Sequence, residues 1–201
     1  MNEINIKRIE GGVTYPAGFR ASGIHCGLRK NKSKKDLALI LADKLCNAAA
    51  IYTTNKVYGA PITVTREHLK NGMARAAICN SGNANTCNPD GVDKANAMCA
   101  ALAAQLGIDE NDIIIASTGV IGEPLPLEPI LSGIPALCDS LGYDAENGYA
   151  AASAIMTTDT RLKQIAAETV IDGVKVKIGG MSKGSGMIQP NMATMLCFVT
   201  T

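Results

Sequence analysis

The sequence predicts a layered α+β fold with helices packed on sheet. Three observations carry that expectation. Continuous apolar runs, Asp36 to Asp43 and Asp112 to Ala116 among them, read as buried strands. Two stretches opening at Pro89 and Pro126 place apolar residues at helical spacing. The order is strands first, then alternating helices and strands, then strands again, with no internal repeat, linker or low-complexity tract. At 201 residues and 47% hydrophobic content the chain can bury a core, and it reads as one α/β domain over residues 1–201.

Taken in order, Glu10 to Gly18 is a turn-rich entry and Phe19 to Leu28 a strand interrupted by Gly23. The basic run Arg29 to Lys35 lacks interleaved aromatic residues and reads as a solvated hairpin loop. Asp36 to Asp43 and Ala48 to Thr54 are expected as buried strands, Ala60 to Thr65 as another, Arg66 to Gly72 as a helical turn and Ala74 to Cys79 as a further strand. The helix opening at Pro89-Asp90 carries Val92, Ala95, Cys99, Leu102 and Leu106 on one face and ends at Gly107. After the strand Asp112 to Ala116, a second helix spans Pro126 to Leu141 through Ile130, Ile134 and Leu137, and an alanine-rich third spans Ala145 to Met156. Gln164 to Asp172 and Val174 to Gly179 are strands joined by the hairpin signal Asp172-Gly173. Met195 to Val199 is the last strand.

Composition narrows the partners. A net charge of +1 and 18% charged residues argue against general attraction to nucleic acid or an anionic membrane, so small molecules or protein partners are expected. No apolar run approaches the roughly 18 residues that span a bilayer. Met1 to Glu10 alternates polar and apolar residues, unlike the core of a signal peptide, and a cytoplasmic location is expected. The 7 cysteines are odd in number and show no C-x-x-C pairing, so neither disulfides nor a zinc site is expected, and small buried hydrophobes are the default. Of the 2 histidines, His68 lies in a charged run and reads as solvated. His25 beside Cys26 is the only candidate dyad, and neighbours in a strand point to opposite faces.

Chemistry concentrates in Lys183-Gly-Ser-Gly-Met-Ile-Gln-Pro-Asn-Met-Ala-Thr-Met-Leu196, which gathers a lone cation, two glycines and the Thr194 hydroxyl. Thr194 is placed at the mouth of a strand. A hydroxyl becomes a nucleophile when a neighbouring base takes its proton, and a threonine whose own freed α-amine is that base needs cleavage at Ala193-Thr194. Spacing alone more readily accommodates a tight turn leading into a half-buried strand. Neither phosphate-binding glycine pattern is present. Three further segments stand out. Asn80-Ser-Gly-Asn-Ala-Asn85 offers amides for a carboxylate, or turn chemistry. Ser117-Thr-Gly-Val-Ile-Gly122 offers consecutive N–H groups for an oxyanion, or a tight turn. Met156-Thr-Thr-Asp-Thr160 gathers hydroxyls near a carboxylate.

Together with Gly11-Gly-Val-Thr14, these motifs occur in order and resemble the ornithine acetyltransferase family of arginine biosynthesis, from roughly Glu10 to the last residue. The resemblance implies self-cleavage between Ala193 and Thr194, dividing the chain into an α-like part, 1–193, and the start of a β-like part, 194–201. It implies that Thr194 takes the acetyl group of N-acetylornithine and passes it to glutamate. Thr118 and Gly119 match the family's oxyanion-hole positions, and Thr157, Lys183 and Thr194 its substrate contacts, with Lys183 meeting a substrate carboxylate. The implied fold is an α/β/β/α sandwich like that of N-terminal-nucleophile hydrolases in layering but not connectivity. The implied assembly is an α2β2 heterotetramer without bound cofactor, and some members use acetyl-CoA as a further acetyl donor. The family continues beyond Thr201 with a second chain, so activity is expected to need that β partner. Two other classes stay open: a non-catalytic small-molecule-binding or assembly subunit, and an N-terminal-nucleophile hydrolase or aminopeptidase.

Overall fold

The computed structural model describes residues 5–201, and Met1 to Ile4, the first part of the N-terminal alternation, lie outside them. Two four-stranded sheets organise the chain. The first has the order β2 (Phe19–Ile24), β3 (Leu37–Asn47), β4 (Met73–Asn83), β5 (Ile113–Val120), with only the β4–β5 pair parallel. The second is antiparallel throughout, in the order β1 (Lys7–Ile9), β6 (Lys163–Ile171), β7 (Val174–Lys183), β8 (Leu196–Thr200). Helices α1 (Ala60–His68), α2 (Gly91–Leu106) and α3 (Leu127–Asp139) form one outer layer, and α4 (Ala145–Ala154) lies on β2 and β3.

The core has two compartments because β3 is buried on both faces. Leu37, Leu39 and Leu41 join Ile78, Ile113, Met98, Leu102 and Ile134 beneath the helices, whereas Ala38 and Ile40 join Cys79, Ile155 and Met181 towards the second sheet. A strand covered on both sides reads as a continuous apolar run, which is why the run from Asp36 was legible. Gly23 is fixed by contact rather than by turn geometry: a Cβ there would lie 2.2 Å from the Ala150 carbonyl oxygen, so α4 rests on the bare backbone of β2. On the second sheet, Ile165, Gly180 and Val199 are in register, and Ile165 and Val199 are 49% and 64% exposed. Among the described residues no helix covers that row. The layered mixed α/β fold is as expected; of the expected α/β/β/α order, the described residues form the helical layer over the first sheet and the two sheets.

Local signals worked where they were short-range. Gly107 ends α2 at φ 65°, its N–H bonded to the Ala103 carbonyl. Asp172 and Gly173 turn β6 into β7 with φ 50° and 80°, the signs a type I′ hairpin requires. Four expectations need correction. Ala60 to Thr65 is not a strand but the opening of α1. Pro61 sits at the helix start, where a missing N–H costs nothing, and Thr65 is held inside by bonds between its hydroxyl and both the carbonyl and N–H of Ile115. Ala48 to Thr54 is not a strand either: the preceding strand runs unbroken to Asn47, and Ile51 is 83% exposed. His68 is buried rather than solvated, its Nδ1 2.8 Å from the Ile113 carbonyl. Arg29 is likewise not part of a solvated loop, as shown below. Cys79 and Cys99 are buried thiols that burial pushes up to about 12, but Cys87 and Cys197 are exposed. No helix is long and apolar enough to cross a membrane among the described residues.

Candidate active site

The site forms where the parallel strands β4 and β5 end together. Ser81 pairs with Thr118 and Gly82 with Gly119, after which the register slips at Asn83. Gly119 has φ 139°, and a Cβ on it would lie 2.3 Å from the Gly82 carbonyl carbon. Only glycine permits that approach. Thr118, 1% exposed, carries a buried hydroxyl without a hydrogen-bond partner. Buried polar atoms are normally satisfied, so an unsatisfied one marks a place where a group is expected to arrive.

The asparagine cluster ties this wall together, in line with the turn-chemistry reading of its sequence. Asn80 donates to the Asn83 carbonyl at 2.9 Å and accepts from the Ser117 hydroxyl at 2.6 Å. Asn83 donates to the Glu123 carbonyl and accepts from the Asn85 N–H, while Asn85 donates to the Gly91 carbonyl. All three are buried. Their Nδ2 groups all donate to backbone carbonyls, while the buried Asn85 Oδ1, like the Thr118 hydroxyl, has no partner.

Arg29 ties this wall to the turn after α4. Its Nη2 donates to the Ser81 hydroxyl at 2.9 Å and to the Met156 carbonyl, and Ser81 in turn donates to the Ala154 carbonyl at 2.5 Å. A cation at a helix C-terminus is favoured by the helix dipole. The Arg29 N–H is held by the buried Asp36 carboxylate, which also receives the N–H of Cys26 and lies 3.1 Å from His25 Nδ1. His25 and Cys26 therefore share a structural carboxylate rather than a reacting bond, and burial pushes the Cys26 thiol up to about 12.

Thr157 follows directly. Its N–H and that of Gly184 both donate to Asp159, which also pairs with Lys163 at 2.5 Å. Burial pushes the Asp159 carboxyl up, but these donors together outweigh it and leave it below its ordinary value. Asp159 thus joins the Thr157 turn to the start of the Lys183 loop. Lys183 itself is 1% exposed and donates to the carbonyls of Gly184 and Thr194, each at 2.8 Å. Burial lowers its pKa against a partial opposing effect of Asp159. Its ammonium faces Thr194 and is buried beneath the loop.

Thr194 stands half-buried at the entry to β8 with φ 74°. For a β-branched residue this is an outlier. Gln189, Asn191 and Met192 share positive φ. A cavity of about 220 Å³ is lined by Thr118, Gly119, Ala193 and Thr194 together with Tyr58 and Phe198. A wider cleft of about 710 Å³ is lined by Arg29, Gly119, Thr157 and Thr194. Thr118, Gly119, Thr157 and Thr194 therefore converge, with Lys183 just behind them. Among the described residues no group of three or more His, Cys, Asp or Glu is placed to hold a metal. Arg29, Ser81 and Asp159 were not singled out from sequence. Asp159 stood inside a quoted motif, whereas nothing local marks Arg29 out from its basic neighbours.

Comparison with known proteins matches the model of the ArgJ family to residues 20–201. The chain belongs to the ArgJ family. It is 47% identical over 194 residues to the arginine biosynthesis bifunctional protein ArgJ of Caldanaerobacter subterraneus, covering 96% of this chain and 47% of that protein. The Bacillus subtilis ArgJ is 45% identical over 203 residues, covering 100% of this chain and 48% of that protein. This chain thus spans about half the length of the curated ArgJ relatives it matches. Its structure superposes on the Bacillus halodurans ArgJ crystal structure with a TM-score of 0.88 at 41% identity, covering 97% of this chain and 100% of that one. Against an ornithine acetyltransferase from Mycobacterium tuberculosis in complex with ornithine the TM-score is 0.84 at 37% identity, covering 92% and 98%.

Proposed function

We propose that this ArgJ chain is the α-part, with the first residues of the β-part, of a self-cleaving glutamate N-acetyltransferase acting in the cytoplasm. The observation that carries the reading is the unpartnered, buried Thr118 hydroxyl in the cavity that also holds Ala193 and Thr194. In scission, Thr194 Oγ1 adds to the Ala193 carbonyl carbon, and Thr118 with the Gly119 N–H receives the developing oxyanion. The C–N bond breaks, the hydroxyl proton passes to nitrogen, and an ester links Ala193 to Thr194. Water hydrolyses that ester, leaving the Ala193 carboxylate and a free α-amine on Thr194.

The amine is then the base. In transfer it takes the Thr194 proton as the oxygen attacks the acetyl carbonyl of N-acetylornithine, and it returns the proton to the departing ornithine amine. Glutamate's amine attacks the acetyl-threonine ester, and N-acetylglutamate leaves as Oγ1 regains its proton. Each oxyanion donor contributes about 3 kcal/mol to such steps. Thr157 on the cleft wall contacts the amino-acid part of the substrate, and Lys183 supplies a positive charge for its carboxylate once scission frees the Thr194 loop. No bound cofactor is needed, and acetyl-CoA enters only as a second acetyl donor. The greater length of the relatives supports a β partner from the same precursor, and the reading takes the assembly as α2β2 with that partner required for activity.

In the full-length protein, intact mass should show two chains, one ending at Ala193 and one beginning at Thr194. Incubation with N-acetylornithine should add one acetyl group to the second. Thr194→Ala should abolish both scission and transfer. Normal turnover by that variant would overturn the mechanism. Free acetate formed at the same rate without glutamate would move the reading to a hydrolase.

A further inference from the structure

The segment 48–59, which forms no strand, crosses over the scission loop and bonds to it. Thr53, 5% exposed, donates from Oγ1 to the Asn191 carbonyl at 2.6 Å. Asn191 returns a bond from Nδ2 to the Thr54 hydroxyl, also at 2.6 Å. Thr53 Oγ1 is itself fixed by the Asn55 N–H at 3.0 Å. The two segments are 138 residues apart in sequence, so this clasp belongs to the fold and not to the loop.

What it clasps is the most contorted stretch of the chain. Asn191, Met192 and Thr194 have φ of 45°, 65° and 74°, so left-handed backbone flanks the Ala193-Thr194 bond on both sides. Such conformations persist only where surrounding contacts over-determine them. Short bonds close the loop locally, from the Ala193 N–H to the Pro190 carbonyl at 2.8 Å and from the Met195 N–H to the Met192 carbonyl at 3.2 Å. Those bonds set the turn. They do not fix where it stands relative to Thr118 on β5. Lys183 holds the loop at the Thr194 carbonyl, beyond the scissile bond, and Thr53 with Thr54 holds it at Asn191, before it.

We propose that Thr53 is a positioning residue for self-processing, and that Thr53 and Thr54 hold the Ala193 carbonyl in register with Thr118 until Thr194 attacks it. The inference rests on the scission reading above. It adds a division of labour: the clasp acts on the uncut precursor, and after the cut the segment it grips carries the new Ala193 carboxylate and is no longer part of the reacting bond. The clasp therefore governs scission and not acetyl transfer.

The test is a time course of intact mass on freshly synthesised full-length protein, comparing wild type, Thr53→Val and Thr53→Ser. Valine keeps the shape of threonine and removes the donor, whereas serine keeps the donor. Thr53→Val should lengthen the scission half-time about five- to tenfold, the rate equivalent of one hydrogen bond. Thr53→Ser should restore a half-time within about twofold of wild type. Once fully cut, both variants should transfer acetyl groups with kcat and KM within about twofold of wild type. Wild type and Thr53→Val cutting at the same rate would overturn the clasp and leave the scission mechanism standing. A Thr53→Val protein slowed equally in scission and in transfer per cut chain would overturn the division of labour. An uncut wild type would overturn both readings together.

Discussion

The two walls of the site are built on opposite principles. One is the end of β4 and β5, where Asn80, Asn83, Ser117, Ser81 and Arg29 are hydrogen-bonded to the chain around them and the Thr118 hydroxyl has no partner. The other is the loop 184–195, with Ile188 90% exposed, four non-glycine residues at positive φ, and anchors at Lys183, Asn191 and Gly184. Donors that stabilise a developing charge work best when they need not reorganise. On the proposed scission reading, the bond that breaks lies in the part of the site held by the fewest contacts. The contrast teaches that the first wall is the fixed half of the site and the second, on the proposed reading, the part it acts upon.

The same substitution on each wall puts that contrast at risk. Gly119→Ala places a methyl 2.3 Å from backbone, at a φ that L-residues avoid, whereas a Cβ at Gly184 meets nothing closer than the Asp159 carboxylate oxygen at 3.6 Å. In the full-length protein Gly119→Ala should cost about 3 kcal/mol or more and remove scission and transfer together, against under about 0.5 kcal/mol for Gly184→Ala. Thermal unfolding with intact mass reads both effects. Equal damage at the two positions would break the comparison.

Thr118→Val sharpens it. The hydroxyl has no partner in the resting protein, so its removal should leave stability unchanged within about 0.5 kcal/mol, while both reactions slow by about 100- to 1000-fold. A loss of stability as large as the loss of rate would mean that the hydroxyl serves the fold. This is the reverse of Thr65, whose hydroxyl is fully bonded within β5's neighbourhood and should cost stability when removed.

The contrast also explains what the sequence disclosed. Helix α2, the Asp172-Gly173 turn and the start of β8 were legible because their signals are local. Ala60 to Thr65 misled because Ile62, Thr63, Val64 and Thr65 are β-branched, and burial against β5 outweighed that preference. The roles of Thr118, Gly119, Thr157, Lys183 and Thr194 came from resemblance, since spacing alone left Thr194 a nucleophile or a turn residue and Thr118 with Gly119 an oxyanion site or a turn. The scaffold around them was not legible at all. Arg29 reaches Ser81 across 52 residues and Met156 across 127, and no window on a sequence spans those distances. For Asn80, Asn83 and Asn85 the sequence left turn chemistry and binding both open, because unsatisfied and satisfied amides are identical in sequence.

Asp159 offers the smallest effect and the most direct view of how the two walls are joined. Its carboxylate accepts from the N–H groups of Thr157 and Gly184, so one charge fixes the Thr157 turn to the loop. Burial alone would raise its pKa, but Lys163 and the two N–H donors outweigh burial and hold it below the ordinary 3.8. A depressed carboxyl binds fewer protons folded than unfolded, so its contribution is complete above pH 3.8 and is lost as pH falls through the folded value. Amide hydrogen exchange at Thr157 and Gly184 should therefore accelerate over that acid range more than exchange at Asn83, whose bonds carry no titrating group. Asp159→Asn keeps an acceptor but cannot titrate, and should make exchange at both amides follow Asn83. If wild-type exchange at Thr157 and Gly184 tracks Asn83 through the same range, the carboxylate does not join the walls, and the loop is held by Lys183 and the Thr53 clasp alone.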